Sequence, residues 1–113
     1  MPIKPSIKSI GIMGFGAFGR LIAAHLHPYF DLVICDPELR PGDELPWNLH
    51  AGEAADVGRC DLVILAVPIG ALSKVINDLC PFLRPGSVVA DVVSVKVEPA
   101  RIMQEALPAY VDI

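Results

Sequence analysis

Three glycines in Gly14-Phe15-Gly16-Ala17-Phe18-Gly19 have the spacing G-x-G-x-x-G. In that spacing the first glycine permits a tight turn, the second lets the backbone approach a pyrophosphate, and the third lets a helix pack closely on a strand. The start of the following helix then offers free N–H groups and a partial positive charge to phosphate oxygens. The chemistry is the holding of a dinucleotide by its phosphates; the competing reading is a glycine-rich turn without a ligand. Position separates the two. Ile7 to Met13 mixes β-branched residues with a glycine and ends at the cluster, while Phe18, Leu21, Ile22 and Leu26 recur at spacings of three and four. The cluster therefore sits between a strand and a helix, where the motif has its meaning.

A carboxylate extends the pattern. Asp36 stands 22 positions after Gly14, near the roughly 20 residues at which an acidic side chain accepts hydrogen bonds from the adenosine ribose of NAD. It would repel a 2′-phosphate, so NAD is favoured over NADP. The alternative has Asp36 capping the loop that begins at Pro37, with Arg40 reaching the 2′-phosphate of NADP. Ala66-Val67-Pro68 ends a hydrophobic run at the same edge of the expected sheet, and its backbone is placed to flank the dinucleotide unless Pro68 only terminates the strand. Asp91-Val92-Val93-Ser94-Val95-Lys96 leaves that edge one strand further on. Ser94 then falls near the nicotinamide end, as a ligand for a substrate hydroxyl or carboxylate or as a solvated loop serine. Lys96 reads as a surface charge. His25 and His27 lie at the end of the first helix, where a cation meets the helix dipole, and His50 lies in an irregular acidic loop. None is a convincing general base.

These residues need a scaffold of alternating strands and helices. Helix one is expected from about Ala17 to His27, closed by Pro28, with Phe18, Leu21, Ile22 and Leu26 as its buried face. Asp31 to Asp36 is a short apolar run stopped by Pro37, as for a strand buried on both faces. Residues 37–58 hold three prolines, three glycines and five acidic residues without a sustained period, which predicts loop with at most a turn or two of helix. Asp61 to Val67 is the most hydrophobic run and is expected to be the central strand of a parallel sheet. Leu72, Val75, Ile76 and Leu79 restore the helical period, and Ser87 to Val92 follows the turn signal Arg84-Pro85-Gly86 as a further strand. Glu98-Pro99 opens another helix with Ile102, Met103, Ala106 and Leu107 on its buried face, and Tyr110 to Ile113 reads as one more strand. Parallel neighbours need crossover helices, so the fold class is α/β: a doubly wound, Rossmann-type parallel sheet in a single three-layer domain over 1–113.

Composition agrees and excludes several functions. The chain has 113 residues, 53% hydrophobic and 19% charged, enough for a real core without disulfides or a structural metal. Nine Lys and Arg against thirteen Asp and Glu leave a net charge of −4, and no basic run supplies the footprint of a nucleic-acid binder. No stretch approaches the roughly 20 apolar residues of a membrane span, and the first residues do not form a signal peptide, so a cytoplasmic location is expected. Cys35, Cys60 and Cys80 lack C-x-x-C spacing and read as reduced structural thiols; with the histidines they form no metal pattern.

With the glycine cluster, Asp-Leu-Val-Ile-Leu-Ala-Val-Pro at 61–68 and Asp-Val-Val-Ser-Val-Lys at 91–96 in place, the chain resembles the nucleotide-binding half of prephenate and arogenate dehydrogenases. The 91–96 loop is the more particular of these motifs. The resemblance implies oxidative decarboxylation of prephenate or arogenate in tyrosine synthesis, with hydride passing to the cofactor and Ser94 beside the substrate ring hydroxyl. It also implies a general-base histidine in a Gly-x-His-Pro segment after the last strand, and a helical domain that closes over substrate and forms a dimer. Neither occurs within the 113 residues, so the expectation is a fragment that binds dinucleotide with little or no turnover. A free-standing module that senses NAD(H) or regulates a partner is the alternative, distinguished by whether the reading frame continues past Ile113 into a Gly-x-His-Pro segment; another small Rossmann oxidoreductase, such as an imine or F420-type reductase, explains the glycines but not the Ser94 loop.

Overall fold

The computed structural model describes residues 7–91. Ser94 and the helix and strand expected after Glu98 lie outside the described residues. Within them the elements run β1 Ser9–Met13, α1 Ala17–Leu26, β2 Asp31–Cys35, β3 His50–Ala51, α2 Ala54–Gly58, β4 Leu62–Leu65, α3 Ile69–Leu79 and β5 Val88–Asp91, with single 3-10 turns at Pro46–Asn48 and Cys80–Phe82. All five strands are parallel, in the order β3-β2-β1-β4-β5. The strand order reverses direction between β1 and β4, and in open α/β sheets that is where a crevice opens beyond the carboxyl ends of the strands.

Alternation along each strand divides the core in two. Ile10, Ile12, Leu32, Ile34 and Ile64 face α1, where Ala23, Phe15 and Leu49 complete one cluster. Met13, Val63, Leu65 and Val89 face the other way, onto Val57 of α2 and Leu72, Ile76 and Leu79 of α3. The strands are thus largely covered on both sides, which is why they read as nearly continuous apolar runs. The three-layer α/β arrangement is as expected from the sequence.

Three expectations are corrected. The central strand among the described residues is β1, not the more hydrophobic β4, which lies between β1 and β5. Hydrophobicity reports burial on both faces, which β4 also has, and does not rank position across the sheet. The 37–58 stretch contains β3, whose two residues pair with Val33 and Ile34; so short an edge strand has no period to display. The buried face of α1 is only partly as expected: Ile22 and Leu26 are half-buried against the core, but Gly19 and Ala23 are its buried residues, and Phe18 is 63% and Leu21 52% exposed. The closest approach of the helix to the sheet falls on the small residues Gly19 and Ala23, at i and i+4, and the larger Ile22 and Leu26 pack beside it.

The amino edge of the sheet is tied by one side chain. The Asp61 carboxylate accepts hydrogen bonds from the Lys8 and Ser9 backbone N–H groups at 2.9 and 3.2 Å, and from Arg84 at 2.9 Å. The Asp61 backbone N–H donates to Ser9 Oγ at 3.0 Å, and its carbonyl accepts from Val88 N–H at 3.0 Å. The starts of β1, β4 and β5 are therefore held by one residue. The Lys8 N–H first, aided by Ser9 and Arg84, holds the Asp61 carboxyl below its ordinary value.

A carboxyl depressed in the folded state stabilises the fold fully above its ordinary pKa, and that contribution is lost as pH falls through the folded value. Asp61→Asn is therefore expected to lower the thermal midpoint by about 3–6 °C in neutral buffer, with the gap from the unaltered chain shrinking in acid, as measured by circular dichroism. A second test concerns Gly11, where an added Cβ would lie 2.7 Å from Val57 Cγ1 and 2.9 Å from Val57 Cα. Because backbone as well as side chain must yield, Gly11→Ala is expected to cost about 1–3 kcal/mol in urea unfolding.

Candidate functional site

At the carboxyl edge the end of β1 is gripped from both neighbours. Gly14 N–H donates to the Cys35 carbonyl at the end of β2 at 2.7 Å, and Ala66 N–H, just past β4, donates to the Met13 carbonyl at 2.8 Å. Gly14 has φ +103°, and a Cβ there would stand 2.3 Å from the Ala66 carbonyl oxygen. Both the conformation and the space demand glycine. A Cβ on Gly19 would stand 2.2 Å from the Gly14 carbonyl oxygen, so the first turn of α1 rests directly on the turn before it. Gly16 is the reverse case: it is exposed and nothing lies within 4 Å of its Cβ position. It is the N-cap of α1, with no side chain capping the helix. Two glycines thus close the loop against the sheet, and the third leaves open space before an uncapped helix start. That combination fits a group bearing a pyrophosphate.

The acidic residue belongs to the same assembly. Asp36 is half-buried at the end of β2, and its Oδ2 accepts the Phe15 N–H at 2.7 Å while Oδ1 accepts the Glu38 N–H at 2.9 Å. The carboxylate therefore bonds the glycine loop and also caps the turn after Pro37. An ionised carboxylate has about four lone-pair sites, which leaves acceptor capacity toward solvent. The Phe15 ring is buried in the α1-side core and anchors the loop from beneath. Ala17 and Phe18 are exposed on the first turn of α1, Ala66 and Val67 are half-buried beside Gly14, and exposed Pro68 is the N-cap of α3.

Arg20 was not legible as part of this cluster. A helical side chain tilts toward the helix N-terminus, and Arg20, one turn after Gly16, folds back so that Nε donates to the Phe15 carbonyl at 3.2 Å. Its guanidinium lies 4.4 Å from the centroid of the Phe15 ring. The only signal for it in the sequence is a basic residue directly after the third glycine.

The remaining candidates fall elsewhere. His25 and His27 belong to the far end of α1, where the His27 ring stacks on Trp47 with centroids 4.9 Å apart and planes 7° from parallel. His50 is exposed and opens β3, within a strand and not the irregular loop expected for it. Arg40 is exposed, with its backbone N–H bonded to Asp43. The cysteines form no disulfide among the described residues, and burial pushes all three upward in pKa, Cys35 further raised by the Asp36 carboxylate. Among the described residues no group of His, Cys, Asp and Glu is arranged to hold a metal, and no helix is long and apolar enough to cross a membrane. An open depression of about 380 Å³ lies at the opposite edge, lined by Asp61, Arg84, Pro85, Gly86 and Ser87. Its polar groups already bond one another, Arg84 with Asp61 and Ser87 Oγ with the Arg84 carbonyl, so the carboxyl edge is the candidate site.

Comparison with known proteins identifies the family and the fold. A probable arogenate/prephenate dehydrogenase of Methanocaldococcus jannaschii is 30% identical over 115 residues, which is 96% of this chain and 25% of the relative. The chain thus spans about a quarter of that protein's length. The crystal structure of prephenate dehydrogenase from A. aeolicus, in complex with hydroxyphenyl propionate and NAD+, superposes with a TM-score of 0.73 at 17% identity, covering 96% of this chain and 41% of that one. Synechocystis arogenate dehydrogenase superposes with a TM-score of 0.67 at 19% identity, covering 83% and 37%. At these identities the superpositions speak for the fold. The family model for the prephenate dehydrogenase nucleotide-binding domain matches residues 44–113, more than half of the chain and including residues 91–96. The chain belongs to the prephenate dehydrogenase nucleotide-binding domain family.

Proposed function

We propose that residues 1–113 are the NAD-holding part of a prephenate or arogenate dehydrogenase. The observation that carries this reading is the pairing of an open, uncapped helix start at Gly16 with the Asp36 carboxylate fixed 2.7 Å from the Phe15 N–H. On this reading Gly14, Phe15, Gly16, Ala17, Phe18 and Gly19 wrap the diphosphate, Asp36 receives the adenosine ribose hydroxyls, and Ala66, Val67 and Pro68 flank the dinucleotide on its β4 side. NAD, when bound, accepts hydride from the substrate ring. The negative charge of Asp36 disfavours a 2′-phosphate, which supports NAD over NADP.

The reaction proposed for the whole protein is oxidative decarboxylation in tyrosine synthesis, in the cytoplasm. Hydride leaves the ring carbon that bears the hydroxyl, the ring carboxylate departs as carbon dioxide, and the hydroxyl proton passes to a general base. Ser94, in the 91–96 sequence motif, is proposed to hold that hydroxyl. The Gly-x-His-Pro segment that would supply the base is not among the 113 residues, and a missing general base typically costs about 10²–10⁴-fold in rate. Residues 1–113 alone are therefore proposed to bind dinucleotide without appreciable turnover.

Titration of the chain with NADH and NADPH, followed by cofactor fluorescence, tests the cofactor assignment. Selective NADH binding is expected, weakened about tenfold by Asp36→Ala, the size of one charge-assisted hydrogen bond. Tighter binding of NADPH would move the assignment to Arg40 and NADP, and failure to bind either nucleotide would overturn the proposal.

A further inference from the structure

Arg20 has no counterpart in the roles that the glycine spacing assigns, yet its side chain is held over the loop by two contacts. Nε donates to the Phe15 carbonyl and the guanidinium stacks on the Phe15 ring. Phe15 in turn gives its N–H to Asp36. One loop residue thus holds an anion by its amide and a cation by its carbonyl and ring. The Arg20 residue is exposed, and among the described residues the ion pairs involve Arg59, Lys74 and Arg84, not Arg20. Its Nη donors therefore face solvent at the mouth of the loop. In a chain of net charge −4, a cation fixed beside an open helix start is a local exception that an arriving anion would meet first.

We propose that Arg20 is a phosphate-binding residue of the dinucleotide site, donating through its Nη groups to the diphosphate from the flank of α1. The inference rests on the nucleotide-binding reading above and adds a side-chain donor to a site otherwise built from backbone. Planar guanidinium donors suit phosphate oxygens. Stacking on Phe15 holds the side chain in place before the ligand arrives, so less conformational freedom is lost on binding. The diphosphate is favoured over a 2′-phosphate because Arg20 belongs to the first turn of the helix whose start faces the open space at Gly16.

The test compares the full chain with Arg20→Gln and Arg20→Lys, titrated by calorimetry with adenosine, ADP, NADH and NADPH at two salt concentrations. Arg20→Gln is expected to weaken ADP and NADH about tenfold at low salt, to leave adenosine within about twofold, and to flatten the salt dependence. Arg20→Lys, which keeps the charge but loses the fork, should recover part of the loss. Unchanged ADP and NADH affinities would overturn the proposal. An equal loss for adenosine would do so too, since it would mean that Arg20 only packs the loop. A loss confined to NADPH would place the guanidinium at the 2′-phosphate and overturn the diphosphate assignment. If the unaltered chain binds none of the four, the nucleotide-binding reading falls first and this one with it.

Discussion

The carbonyl oxygen of Gly14 lies where any larger residue at position 19 would have to put its Cβ, and the carbonyl oxygen of Ala66 does the same to position 14. Three backbone segments, the ends of β1 and β4 and the first turn of α1, therefore meet without side chains between them. That contact fixes where α1 begins and brings its uncapped start over the carboxyl edge of the sheet. It also explains why Gly19 and Ala23 bear the packing of α1 while Phe18 and Leu21 point to solvent. Along the line of closest approach only small residues fit, and Ile22 and Leu26 pack against the core to its side.

The two edges of the sheet use carboxylates for different ends. At the amino edge Asp61 satisfies two backbone N–H groups and Arg84, and the strands that it joins are 52 or 53 residues apart from it in sequence on the β1 side. It spends its acceptor capacity on the fold. At the carboxyl edge Asp36 spends two bonds on the loop and the turn and keeps capacity toward solvent, where a ribose would lie on the proposed reading. A parallel sheet separates these tasks naturally, because all its strands point the same way and its two edges are chemically different.

Charge is arranged around the loop in the same economical way. Phe15 links the acidic and basic side chains without letting them neutralise each other: its amide serves Asp36 and its carbonyl and ring serve Arg20. A direct ion pair would have removed both charges from the site. Held apart by one residue with a buried ring, each keeps its sign toward solvent. The cysteines take no part, since burial keeps them as protonated thiols within or beside the core.

Much of this was legible in the residues alone where the cause is local. The glycine spacing, the apolar runs at 9–13, 31–35 and 62–65, the helical period of α3 and the position of Asp36 each follow from conformational preference or burial acting over a few neighbours. The family also rests on sequence, through the 44–113 match. What only the tertiary structure decided depends on partners distant in the chain. The central place of β1 comes from pairing on both sides, and β3 exists because Val33 and Ile34 present an edge to two residues with no period of their own. The exposed side of α1 follows from the Gly19 contact, and the role of Asp61 from strands it meets across the sheet. Arg20 lies between these cases: its place after the third glycine is visible in the sequence, but its fold back onto Phe15 requires the helix to start where Gly14 and Gly19 let it.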